Sequence, residues 1–186
     1  MRTAATLALH ELHDRTARHS TYSSVKEEVE PLPKPTHREA IGVATNQLLA
    51  GATLDHSIRR TITDFDNVAA CLLAMNTHPM HTAYDFAVQS RFEKPLVVSP
   101  FLLSCIVAAV TNDLRQLPIA RIEIRSLSFI KPVHPGDTIS ARSVIESAEP
   151  TQYVFAVTGA KTNGTEFVRF RLLVKVDDES REGMSS

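Results

Sequence analysis

The stretch from Ser99 to Val110 decides most of what this chain can become. After Ser99 and Pro100 it reads Phe-Leu-Leu-Ser-Cys-Ile-Val-Ala-Ala-Val, with no charged side chain and no polar face. Pro100 suits the first helical position, where its missing N–H costs nothing, and Ser99 suits the N-cap before it. A helix that is apolar all round has to be covered on nearly every side. This one is too short to cross a bilayer, which takes about 20 residues, so the cover has to come from the rest of the chain.

The sequence that follows supplies it. Ile122 and Ile124, then Leu127 and Phe129, alternate with Glu123, Arg125, Ser128 and Ile130, and the change of phase between the two halves predicts a bulge. Ile139, Ala141, Ser143 and Ile145 mark a second strand, Tyr153, Phe155 and Val157 a third, and Phe170, Leu172, Val174 and Val176 a fourth. Turn chemistry falls between them at Pro135-Gly136-Asp137, Glu149-Pro150 and Thr162-Asn163-Gly164. Closely connected consecutive strands imply antiparallel pairing of neighbours. A curved antiparallel sheet wrapped around one apolar helix is an α+β hot-dog architecture.

Ahead of the central helix the pattern predicts a short strand near Ile58 to Thr63. Asp64 then caps a helix whose inward face carries Val68, Cys71, Leu72 and Met75, and Thr82 with Asp85 opens a second short helix that ends before Arg91. Residues 1–45 are polar, broken by Pro31, Pro33 and Pro35, and are expected to form a flexible arm; 46–176 form the domain and 177–186 a polar tail.

With 20 basic against 21 acidic side chains, a net charge of −1 gives no general attraction to nucleic acid or anionic lipid, so neither partner is expected. Cys71 and Cys105 lie in apolar helical contexts and read as unoxidised small hydrophobes, which fits the cytoplasm. Arg2, Arg15 and Arg18 leave a mitochondrial address as the alternative, although Glu11 and Asp14 are unusual in such a leader.

Three segments resemble the MaoC-like (R)-specific enoyl-CoA hydratases and dehydratases. They are Asn76-Thr77-His78-Pro79-Met80-His81, Lys94-Pro95-Leu96-Val97-Val98-Ser99 leading into the central helix, and Phe129-Ile130-Lys131-Pro132-Val133-His134-Pro135-Gly136-Asp137-Thr138. The first two are similar to the branch that includes mesaconyl-CoA and itaconyl-CoA hydratase-like proteins, which implies a short enoyl-CoA substrate, branched or dicarboxylic acyl groups included. The resemblance also implies a homodimer or higher homo-oligomer with sites at the subunit boundary. No cofactor or metal is expected, the CoA thioester being the substrate.

Hydrating an enoyl thioester needs an activated water, a proton for the α-carbon, and donors for the charge that develops on the thioester oxygen. Carried over from the family pattern Asp-x-Asn-Pro-x-His, the histidine falls on His81, the asparagine on His78 and the aspartate on Asn76. An amide accepts no proton at neutral pH, so Asn76 can orient a water but not deprotonate it. His81 is then the acid/base, with His78 as an assistant, or with a substitute carboxylate drawn from Asp64, Asp66 or Asp85. Where the family has His-Gly before the central helix, this chain has Val98-Ser99, which makes the Ser99 backbone N–H the oxyanion donor. Arg91, Lys94, Arg121, Arg125 and Lys131 are the basic side chains available to the CoA moiety. The competing readings are a hot-dog thioesterase and a catalytically degenerate subunit that binds acyl-CoA.

Overall fold

The computed structural model describes residues 48–177, so the expected arm and all of the expected tail after Asp177 lie outside the described residues. Strand β1 (Thr53–Thr61) is followed by helix α1 (Asp64–Leu73), a 3₁₀ turn (Pro79–His81), the short helix α2 (Tyr84–Val88) and the central helix α3 (Ser99–Asp113). Strands β2 (Ile119–Phe129), β3 (Thr138–Glu149), β4 (Gln152–Lys161) and β5 (Glu166–Val176) complete the order.

The strands form one antiparallel sheet in the order β1-β3-β4-β5-β2. This is the expected hot-dog class, with one correction to its connections. Strand β2 does not pair with β3, its successor; it pairs with β5, and the segment 130–137 carries the chain to the other side of the sheet. Pro135-Gly136-Asp137 is therefore a turn within a crossover. Gly136 takes a φ of 95°, its N–H donates to Ile62 O (2.7 Å), and Asp137 receives the His134 N–H (2.9 Å) and the Lys161 ammonium (2.7 Å). Burial alone would raise the Asp137 carboxyl, but these two donors outweigh it and hold it below the usual range. The predicted break in β2 is a bulge between Arg125 and Ser128, with Ser126 at a φ of 54°.

Helix α3 seats Leu102, Ile106, Ala109 and Val110 against Ile139, Ile145, Phe155, Val157, Phe170 and Leu172. Each large side chain so buried contributes roughly 1.5–3 kcal/mol. Its approach to the sheet depends on Gly159, where a Cβ would lie 2.7 Å from Val168 Cγ1 and 3.0 Å from Ile106 Cγ1. The wrapping is less complete than the sequence suggests, since Ser104, Ala108 and Asn112 form an exposed stripe along the helix. Helix ends differ by a residue from expectation. Thr63, not Asp64, caps α1 through a reciprocal box with Asp66, and Val98, not Ser99, precedes α3. Helix α2 is preceded by Ala83 rather than opened by a Thr82–Asp85 box.

Helix α1 keeps only Cys71 of its four predicted inward residues. Its buried residues are Asn67 and Cys71, whereas Phe65, Leu72 and Leu73 are 80%, 74% and 88% exposed, and Val68 and Met75 are exposed with them. The reason lies in what α1 covers: its inner face meets backbone carbonyls and amides that need a polar partner, as the site shows. Cys71 and Cys105 are both free, and burial pushes both thiols up, away from the reactive thiolate.

Beneath β1, His56 Nδ1 donates to Asp113 Oδ2 at the end of α3 (2.8 Å), while its Nε2 meets Ser143 Oγ of β3 (2.9 Å). The connectivity is that of a nucleophile–base–acid relay. Ser143, however, is 1% exposed, and none of the described cavities is lined by it. These three side chains form a buried cross-brace between α3 and two strands.

Candidate active site

The three motif segments meet where the chain enters α3. Pro95 to Val98 runs between the 3₁₀ turn on one side and the crossover on the other, and both sides bind its backbone. Leu96 N–H donates to Met80 O (3.1 Å) and Val97 N–H to Val133 O (2.9 Å), while Pro95 O accepts from His134 Nδ1–H (2.9 Å). Leu96 O accepts two hydrogen bonds, from His81 Nδ1 (2.8 Å) and from Asn67 Nδ2 (3.0 Å).

That carbonyl sets the chemistry of His81. A carbonyl oxygen only accepts, so Nδ1 must carry the proton, and in the neutral ring Nε2 is left with its lone pair. His81 is half-buried and presents a base at Nε2. His78 has the complementary form: its Nδ1 accepts the Met80 N–H (3.2 Å), so its neutral ring carries hydrogen at Nε2 and donates. The two rings lie edge to face with centroids 6.1 Å apart, and His78 also meets the Phe86 ring edge to face at 6.0 Å. Asn76 accepts the His78 N–H on its side-chain oxygen (3.1 Å), an Asx turn that shapes the loop.

The substitute carboxylates have other partners or placements. Asp66 is held by Thr63 and Arg60, the Thr63 backbone and hydroxyl donors keeping its carboxyl below the usual range, and Asp64 accepts the Tyr84 hydroxyl. Asp85 is exposed on α2.

At the start of α3 the Val98 N–H donates to Asn67 Oδ1 (3.0 Å), while the Phe101 and Leu102 N–H groups turn back to Val98 O. Among the described residues no protein acceptor is recorded for the Ser99 N–H. Ser99 also lines a cleft of about 230 Å³ with Arg91, Phe92, Phe129, Lys131 and Val133 among its walls. Of the candidate CoA-binding side chains, Arg91 and Lys131 thus border the cleft, with Arg91 stacked over Phe92 at 4.6 Å. Lys94 is exposed on the loop before Pro95. Arg125, on β2, is paired with Glu123 (2.7 Å), which Arg121 also contacts (3.1 Å), and it does not line the cleft.

Sequence reasoning missed Asn67, whose side chain touches three backbone groups of the site, and His134, which braces Pro95. A signal existed for the first. Asn67 lies four residues before Cys71, at a core-facing position where an amide has to be a hydrogen-bonding hub.

A family model described as MaoC like domain matches residues 45–167. The monoamine oxidase regulatory protein from Archaeoglobus fulgidus superposes with a TM-score of 0.63 at 18% identity, over 73% of this chain and 94% of that one. The (R)-hydratase from A. caviae involved in PHA biosynthesis gives 0.59 at 20% identity, over 69% and 97%. The HadBC (3R-hydroxyacyl-ACP dehydratase) complex from Mycobacterium tuberculosis gives 0.57 at 15%, over 71% and 99%. No curated protein matches the sequence.

Proposed function

Because the chain belongs to the MaoC-like domain family, we propose that it adds water to, or removes it from, the double bond of a short enoyl-CoA thioester, branched or dicarboxylic acyl groups included. The observation that carries this reading is the hydrogen bond from His81 Nδ1 to Leu96 O (2.8 Å). It makes Nε2 the base, and it fixes that base to the segment that ends in the Ser99 N–H. Water gives a proton to Nε2 as its oxygen bonds to the β-carbon. The electron pair of the double bond moves toward the thioester oxygen, where the Ser99 N–H and the N-terminus of α3 stabilise the enolate. The imidazolium then returns the proton to the α-carbon, and the ring is neutral again. His78 Nε2–H supplies the donor that orients the water, and Arg91 and Lys131 at the cleft offer positive charge to the CoA phosphates.

The test is an assay with a panel of short enoyl-CoA thioesters, following loss of the enoyl chromophore and formation of hydroxyacyl-CoA. Release of free thiol without that product would make the protein a thioesterase instead. A second reading, a silent acyl-CoA-binding subunit, is favoured by Asn76, whose amide stands where the family has a carboxylate and serves the loop. Saturable thioester binding with no turnover would establish it.

We further propose a homodimer paired through the free edge of β2. Ile122, Ile124, Leu127 and Phe129 on that edge strand, and Ile130 just after it, are all about 40% exposed in the single chain, which is the pattern of an edge awaiting a partner. Sedimentation should give twice the chain mass, and Ile124→Lys should return the single-chain mass. A single-chain mass for the unaltered protein would remove this interface.

A further inference from the structure

The side chain of Asn67 makes three hydrogen bonds, all of them to backbone groups of the candidate site. It is 1% exposed, and its three bonds use both amide hydrogens and the carbonyl oxygen. Nδ2 donates to His81 O (2.8 Å) and to Leu96 O (3.0 Å), and Oδ1 accepts from Val98 N–H (3.0 Å). Each partner belongs to a different part of the proposed chemistry. His81 O is the backbone of the base, Leu96 O fixes the tautomer of its ring, and Val98 N–H precedes the candidate oxyanion donor.

We infer that Asn67 is a positioning residue, which locks the His81 ring in its Nδ1–H tautomer and sets that base at a fixed distance from the first free amide of α3. Two features follow from its geometry. By occupying the Val98 N–H it leaves the Ser99 N–H as the amide offered at the helix start. By sharing Leu96 O with His81 it holds that oxygen where the ring has to donate to it, since the 3₁₀ turn carrying His81 is tied to the same amide. A flipped amide would turn its oxygen toward two carbonyl oxygens and its hydrogens toward an N–H, so the buried side chain is held in this one orientation. The inference rests on the reading of His81 as the base, and its role is indirect, because Asn67 is too deeply buried to meet a substrate.

Two substitutions test it. Asn67→Asp keeps the size and the acceptor for Val98 N–H, but turns a carboxylate oxygen toward two carbonyl oxygens. Asn67→Leu removes all three bonds. In protein labelled with ¹⁵N-histidine, the unaltered chain should show the His81 ring protonated at Nδ1, and Asn67→Asp should show a mixture of tautomers. The same variant should lose about 100-fold in kcat with KM for the enoyl-CoA changed by less than about threefold, after correction for the folded fraction from thermal melting. Should Asn67→Leu fail to fold, the Asp variant alone decides. Retention of the Nδ1–H tautomer in a folded variant would overturn the inference, as would a kcat reduced only by the unfolded fraction. If the protein turns over no thioester, the tautomer measurement still judges Asn67, and only the reading of His81 as a catalytic base is lost.

Discussion

His81→Ala is expected to lower the hydration rate by about two to four powers of ten, the range for loss of a positioned general acid–base group. A single nitrogen is at stake. Nδ1 is committed to Leu96 O, so everything the ring does for a substrate is done at Nε2, and among the described residues no carboxylate is hydrogen-bonded to the ring. His81→Asn separates chemistry from architecture. An asparagine amide reaches about as far as Nδ1 and can still donate to Leu96 O, but it offers no base. The Asn variant should therefore melt close to the unaltered protein and be as inactive as the Ala variant. His78→Ala removes only a donor and should cost far less, about tenfold. Equal rates for the His81 variants and the unaltered protein would take His81 out of the mechanism.

The second large effect is on stability. Asp113→Ala leaves the His56 Nδ1–H without an acceptor in the space below β1, and Ser57 Oγ loses its weaker contact with the same carboxylate (3.4 Å). Removing one partner of a buried pair costs about 3–5 kcal/mol, because the other is left desolvated and unpaired. At the lower end this should reduce the melting temperature by about 6–12 °C. Ser143→Ala deletes a hydroxyl from the same brace and should cost about 1 kcal/mol, since the His56–Asp113 bond survives. Urea denaturation of both variants reads the difference. An Asp113 variant no less stable than the Ser143 variant would mean that the brace does not hold α3 to β1.

What the sequence revealed and what it hid divide along physical lines. The central helix and the strands were legible because their apolar side chains recur at the period of the element that buries them, as in β3 and β5. The bulge in β2 was visible as a broken alternation. Sheet order was not, because β2 reaches β5 past its own successor, and no local pattern reports a partner that far along the chain. Helix α1 misled for a different reason: beside Cys71 its buried side chain is Asn67, which serves backbone groups, so apolarity alone does not mark the inner face. Within the candidate site, the motifs singled out His81 and Ser99, and the hydrogen bond to Leu96 O then gave the His81 ring a specific tautomer. Asn67 and His134 escaped because they work through backbone atoms, which every sequence shares.

The strand order also has a consequence for how the molecule comes together. Strands β3, β4 and β5 are successive hairpins, joined through Pro150–Thr151 and Asn163–Gly164, and close over short loops. The two edges do not. Asp55 reaches Arg142, and Ile119 reaches Val176, each across a long intervening chain. Loop-closure entropy therefore falls on β1 and β2, while the middle of the sheet is nearly free of it. The cleft is walled by segments that follow those edges: Arg91, Phe92, Leu96, Val97 and Ser99 come after β1, and Ile130 to Val133 come after β2. A chain that has only its three-stranded meander has a scaffold but no cleft, and the parts that form the cleft are the ones ordered against the largest loss of chain freedom.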